Sequence, residues 1–125
     1  MSFPVGYHRL HPDASINFQM NRFFNWVGDP RMLTELRAAA PRIATYADLT
    51  REVLALGEAA FAADRLLAGA YYLRLAEFFL FTEDPRKKPA RQRFLNTLRA
   101  VYGSELGEPV KVKAEGCVLR AYRFE

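Results

Sequence analysis

The run from Arg65 to Thr82, RLLAGAYYLRLAEFFLFT, limits what this chain can fold into more than any other stretch. It is apolar on nearly every side, with charge only at Arg65, Arg74 and Glu77. A surface helix carries an apolar stripe and a polar face, whereas a helix apolar all round is covered by neighbours. The run is too short, and too charged near its centre, for a membrane span. It predicts the central helix of a small helical domain, with Phe78 among its buried aromatics. Arg74 and Glu77 lie three apart and share a face. If buried, each needs a partner, because an unpaired interior charge is costly. They are therefore expected as a structural ion pair.

The chain's 125 residues suffice for one ordinary domain with one sizeable core. Half of them are hydrophobic and 14% are aromatic, which excludes an intrinsically disordered chain. The single cysteine, Cys117, excludes an internal disulfide and a cysteine-based zinc cluster. Met1 opens no basic-apolar-small pattern, so no signal peptide is expected and a cytoplasmic location is the default. A net charge of +4 permits acidic partners without demanding them.

Residues Met1–Ala14 hold two prolines, a glycine and both histidines, His8 and His11, and read as an extended arm. Two histidines three apart raise the question of a metal site. No carboxylate or thiol pattern completes a ligand set, so no metal is expected. Asp13 or Ser15 can cap a first helix over 16–27. Ile16, Met20, Phe23, Phe24 and Val27 follow helical spacing and form its core face. Asn17, Asn21 and Asn25 recur every four residues as an amide stripe, although asparagine is a mediocre helix former. Either the stripe bonds the arm or loop carbonyls, or it faces a partner surface or pocket. Buried amides must be satisfied in both cases.

Gly28-Asp29-Pro30 ends that helix and starts a second, which runs to about Ala40. Thr45, with Asp48 at the capping-box position, opens a third over 46–63. Leu49, Val53, Leu56, Ala60 and Ala63 form its core face. The tight connection Ala63-Asp64 makes this helix an antiparallel neighbour of the central one. Small residues, Gly57 and Gly69 among them, allow the two to approach closely. Asp84-Pro85 closes this helical hairpin. Pro89 opens a last helix ending at Tyr102, with Gly103 as its cap, and Phe94, Leu95, Leu98, Val101 and Tyr102 inward. Five of the eight residues from Arg86 to Arg93 are basic. They lack aromatic interleaving, so a solvated helix start is preferred to a nucleic-acid contact.

From Pro109 the period changes to two. Val110, Val112 and Ala114 alternate with Lys111 and Lys113, Glu115-Gly116 makes a turn, and Cys117–Phe124 form a second extended run. The fold class expected is mainly α: about five helices around a central antiparallel helical hairpin, with a C-terminal β-hairpin. The division falls at a helical unit over 1–103 and a hairpin over 104–125.

Those residues carry a resemblance. His11-Pro12-Asp13, then Ile16-Asn17-Phe18-Gln19 and Asn21-Arg22, resemble the opening of α/β-hydrolases with an N-terminal helical cap. That branch includes esterase- and peptidase-like members and the hydrolase acting on dihydroxypseudooxynicotine. Ala70–Leu80 is similar to the family's tyrosine-rich AEFF helix, Asp84-Pro85 followed by a basic residue also fits, and Val110–Phe124 resembles the first strands of the hydrolase sheet. The resemblance implies a cap that shapes a substrate pocket, with Asn17, Gln19, Asn21 and Arg22 facing the pocket or docking on the core. It implies no catalytic residue within this chain. The family's serine sits in a G-x-S-x-G elbow downstream of such a hairpin. Gly103-Ser104-Glu105 is not that motif, and His8 and His11 stand in the wrong order for a triad.

The expected function is therefore the cap part of a serine hydrolase, inactive alone, as a fragment, a split gene product or a truncated one. No cofactor is expected. The expected partners are a hydrolase core, in the same or a separate polypeptide, or a second copy through the hairpin. Membrane binding is not expected, and nucleic acid is the least favoured partner. The competing reading is a helical protein-interaction module, because Gly57, Ala60 and Ala76 resemble one tetratricopeptide-like hairpin. Solenoids of that kind need several stacked repeats, and one is found.

Overall fold

The computed structural model describes residues 6–124. Five α-helices precede a two-stranded antiparallel sheet. The helices are α1 (Ala14–Val27), α2 (Pro30–Ala39), α3 (Tyr46–Ala62), α4 (Leu66–Phe78) and α5 (Lys87–Tyr102), and the strands are β1 (Glu108–Ala114) and β2 (Cys117–Arg123). The chain is thus mainly α with a C-terminal β-hairpin, as its periodicity predicts.

Local chemistry sets most boundaries. The Asp13 carboxylate accepts from the Ile16 amide at 2.9 Å and caps α1. Gly28 ends that helix at φ 72, a left-handed conformation that costs glycine little. Asp29 caps α2, with Pro30 in its first turn, where a missing amide donor is harmless. Ala40–Arg42 continue α2 as a 3-10 turn through Pro41. Thr45 and Asp48 form a reciprocal capping box at the start of α3.

The turn from α3 to α4 is a Schellman motif. The Arg65 amide donates to the Ala60 carbonyl at 2.9 Å and the Asp64 amide to Phe61 at 3.0 Å. The left-handed position is held by Asp64 at φ 57, not by glycine. α3 and α4 then pack closely. A Cβ built on Gly57 would lie 3.3 Å from that of Tyr72, and one on Gly69 would lie 2.9 Å from the Phe61 ring. Larger residues at these two points would push the helices apart.

α4 is the hub, packed against α3, α5 and α1. Its Ala68, Tyr72, Leu75 and Ala76 join Ile16, Met20 and Phe23 of α1, Met32 and Leu36 of α2, and Leu49 and Val53 of α3 in one core. Three expectations need correction. The central helix stops at Phe78, not Thr82: Phe78 is 40% exposed and Phe81 82% exposed, so the apolar run outlasts its cover. On α3, Ala63 is exposed, because it already belongs to the turn. On α5 only Ala90 and Phe94 are buried, while Leu95, Leu98 and Tyr102 are half-buried and Val101 is exposed. One face of α5 touches α4 and little else covers it, so helical spacing alone overstated its core.

The hairpin pairs Val110 with Ala121, Lys111 with Arg120 and Val112 with Leu119 across a turn in which Gly116 takes φ 73. Cross-strand partners share a face. Val110, Val112, Ala114, Cys117, Leu119 and Ala121 therefore line one side, and Pro109, Lys111, Lys113, Val118, Arg120 and Tyr122 the other. No residue of either strand is buried, so neither side is covered.

Candidate functional site

The amide stripe of α1 divides into two parts. Asn17 and Asn21 are buried and hold the arm. The Asn17 Oδ1 accepts from the amides of Leu10 at 2.7 Å and His11 at 3.0 Å. The Asn21 Oδ1 accepts from the His8 amide at 2.6 Å, and its Nδ2 donates to the His8 and Asn17 carbonyls, each at 2.8 Å. Both amides act as backbone substitutes, satisfying a segment that has no secondary structure of its own. Asn25 is exposed. His11 completes the clasp. Its Nδ1 accepts from the Asp13 amide at 3.0 Å, so its Nε2 carries the proton and donates to the Ile43 carbonyl at 2.9 Å. His8 meets the Phe24 ring edge-on at 5.4 Å.

Gln19 is also buried, and its Oε1 has no hydrogen-bond partner. Arg22 points elsewhere. Its guanidinium carbon lies 4.6 Å from the centre of the Trp26 ring and 5.5 Å from that of Phe23. No carboxylate pairs with Arg22 among the described residues. Phe18, Arg22 and Trp26 recur every four residues and form a continuous stripe on α1. Phe18 is 53% exposed and Trp26 51% exposed. Trp26 also meets Tyr71 of α4 edge-on at 5.8 Å, and Phe23 meets Phe78 at 6.5 Å. The stripe is thus the outer edge of an aromatic band that crosses from α1 to α4. Large exposed apolar residues gathered in one place mark surfaces that meet something. The recurrence of Phe18, Arg22 and Trp26 at four-residue steps is the signal that the sequence offers. The stripe borders the core face of α1, so apolar spacing alone does not separate the two.

Two charged networks lie away from this stripe. Glu77 is 1% exposed and paired with Arg74, and its other oxygen lies 3.2 Å from Lys87 Nζ and 3.9 Å from Arg91. Lys87 Nζ also donates to the Glu77 and Leu80 carbonyls at 2.8 and 2.9 Å, a cation at the negative end of α4. The second network joins α2 to α4. Arg65 pairs with Asp29 at 2.8 Å and with Glu35, and the Tyr72 hydroxyl donates to Glu35 at 2.6 Å. Burial, then the bond to Glu35, push the Tyr72 hydroxyl well above its ordinary range. Every member of these networks has a partner, which is the signature of structural ion pairs. The basic start of α5 is similarly spent: Arg86 on Asp84, Lys87 and Arg91 on Glu77, Arg93 on Glu58; among the described residues Lys88 has no ion-pair partner.

Among the described residues no group of histidine, cysteine, aspartate and glutamate is placed to hold a metal ion, and no helix is long and apolar enough to cross a membrane. Ser104 is exposed in the 3-10 turn after α5. Comparison of the chain with protein-family models, with curated proteins and with solved structures gives no match.

Proposed function

We propose that this chain is the helical, pocket-shaping part of a serine α/β-hydrolase, cytoplasmic, and inactive without a catalytic core. The observation that carries the reading is the exposed α1 stripe of Phe18, Arg22 and Trp26, in which Arg22 lies over the Trp26 ring and has no carboxylate partner among the described residues. A cap contributes apolar walls and a few fixed polar groups, while the core supplies the nucleophile and the oxyanion donors. Phe18 and Trp26 supply the walls, and Arg22 is the group that orients a substrate carboxylate. Asn17 and Asn21 support the reading indirectly, since by fixing the arm they hold α1 in place. Gln19 lies on the same helix, but its Oε1 is enclosed rather than presented at the stripe.

The uncovered hairpin is the natural attachment. A lone two-stranded sheet is marginal in water, and its open edges accept further strands. On this reading β1 and β2 join the sheet of the core, carried on the same polypeptide or another, or pair with a second copy.

The test begins with the coding sequence beyond the codon for Glu125. An in-frame continuation or an adjoining gene encoding G-x-S-x-G is expected, and unrelated sequence there would overturn the proposal. With that core present, Arg22→Ala should raise KM for esters bearing a carboxylate and leave neutral esters unchanged. Turnover of an activated ester by the 125-residue chain alone, abolished by Ser104→Ala, would also sink it.

The close α3–α4 pair at Gly57 and Gly69 favours a second reading, a helical interaction module. The same sequence inspection separates the two.

A further inference from the structure

Between the end of α5 and the hairpin lies a cleft of about 330 Å³, lined by Arg99 and by Pro109, Val110, Lys111, Arg120, Ala121 and Tyr122, so that it takes in both sides of the hairpin. Its size falls in the range of small-molecule sites, roughly 300–1,000 Å³. Three cations line it and no carboxylate does. Most arginines of the helices are spent in ion pairs, but among the described residues Arg99 bonds only the Asn96 amide oxygen, at 3.4 Å. Lys111 and Arg120 have no hydrogen bond or ion pair among the described residues. The hairpin's one ion pair among the described residues, Arg123 with Glu108, belongs to the opposite face.

The register makes this arrangement costly in the absence of a ligand. Lys111 and Arg120 are direct cross-strand partners, and like charges in that position repel. Nothing on the same face neutralises them, since its other members are Pro109, Lys113, Val118 and Tyr122. The next pair along that face, Pro109 with Tyr122, is apolar and carries a flat ring. One end of the cleft therefore asks for a multiply charged anion and the other for a planar group.

We propose that this cleft binds a phosphate-bearing ligand with a planar ring, of the mononucleotide class. The Arg99 and Arg120 guanidinium groups suit paired hydrogen bonds to phosphate oxygens, and Lys111 adds a point charge. Tyr122 stacks on the ring, an interaction that every base offers. The site is separate from the α1 stripe and does not depend on the hydrolase reading.

The experiment is titration calorimetry of the full chain with adenosine 5′-monophosphate, inorganic phosphate and a short DNA duplex, at low and high salt. The expected result is saturable binding of one nucleotide per chain, weakened by salt. Lys111→Gln combined with Arg120→Gln should lower affinity roughly tenfold or more, as loss of charge-assisted bonds does. Tyr122→Ala should weaken the nucleotide and leave inorganic phosphate unchanged. Lys88→Gln, an unpaired lysine outside the cleft, should change nothing, and circular dichroism of all variants should match the parent. Absence of saturable nucleotide binding overturns the proposal. So does equal binding of phosphate and nucleotide, or tighter binding to the duplex that Lys88→Gln weakens as much as the cleft variants do.

Discussion

The helical body and the C-terminal hairpin are both regular in secondary structure and very differently supported. In the body, α4 is enclosed by α1, α3 and α5, and its one buried carboxylate meets three cations. The arm is clasped by Asn17, Asn21 and His11, and α2 is tied to α4 through Arg65, Glu35 and Tyr72. The hairpin has a full ladder, one exposed ion pair and no buried residue. A regular ladder is therefore no measure of local stability. Burial sets it, and segments with few buried contacts open at low free energy.

The largest expected effect tests that contrast directly. Tyr72→Ala removes a fully buried ring and the hydroxyl bond to Glu35, and should cost about 3–5 kcal/mol. Leu119→Ala, on the uncovered hairpin, should cost about 0.5 kcal/mol or less. Urea melts followed by circular dichroism would measure both. Equal midpoints for the two variants would mean that hairpin and helices form one cooperative unit, and the contrast would fail. Hydrogen exchange sharpens it: amides of β1 and β2 should exchange far faster than those of α4.

The second effect concerns Glu77. Gln at this position keeps the shape but leaves Arg74 and Lys87 facing a neutral buried group. Breaking a buried pair costs roughly 3–5 kcal/mol when the orphaned charge stays buried. Here both cations reach water at their edges, so Glu77→Gln should cost about 2 kcal/mol. A melt unchanged by the substitution would show that the buried carboxylate does not hold α4 to α5.

How far the sequence reveals these regions depends on the range of the interaction. The five helices, the capping box at Thr45 and the turn at Glu115-Gly116 were legible, because each is set by residues within a few positions. Arg74 and Glu77 could be singled out for the same reason. The network of Arg65 with Asp29 and Glu35 could not, since its partners lie 36 and 30 residues away. Nor could the role of Asn17 and Asn21 be separated from a pocket-facing one, because spacing marks a face without saying what lies against it. The cleft at Lys111 and Arg120 depends on strand register, which alternation of residue types leaves open. The overestimate at α5 and at Phe78 has one cause: apolar spacing measures what a helix can bury, not how much neighbouring chain is there to cover it.

A third expected effect is the dependence on pH. Hydrogen bonds from Arg51 and Thr45 hold Asp48 at about 2, and Arg86 does the same for Asp84. At Asp29 burial pushes upward, but bonds from Arg65 and Arg31 outweigh it and leave the group below its ordinary value. A carboxylate with a depressed folded pKa contributes stability that is present above its unfolded value and lost as pH falls through the folded one. Stability should therefore be level above about pH 5 and fall as pH drops from 3.8 toward 2. Tyr72 acts at the other end. Its raised value contributes below the ordinary 10.0 and is lost as pH rises beyond it. Fluorescence of Trp26, which sits on the helical body, would follow both limbs. Tyr72→Phe should flatten the alkaline limb and spare the acid one. A loss of both limbs together would point to general charge repulsion instead.

The smallest expected effect lies at Asp64, where two helices share one residue. As the left-handed residue that ends α3 it carries a backbone cost of roughly 1–2 kcal/mol for an ordinary L-residue, reduced for aspartate by its tolerance of that region. Its charge faces two opposed dipoles, unfavourable at the end of α3 and favourable at the start of α4. Those two terms should nearly cancel, so Asp64→Asn, which removes the charge and keeps the backbone preference, should stay within about 0.3 kcal/mol of the parent. Asp64→Gly also removes the backbone cost, but it loosens the unfolded chain and gives back part of the gain. The net expectation is stabilisation by about 0.5 kcal/mol. Thermal melts of the two variants side by side separate backbone from charge. If the Asn variant moves as far as the Gly variant, charge dominates and the turn is not strained. If neither moves while Tyr72→Ala still does, the α3–α4 turn is held by packing at Gly57 and Gly69, and its conformation follows from that contact.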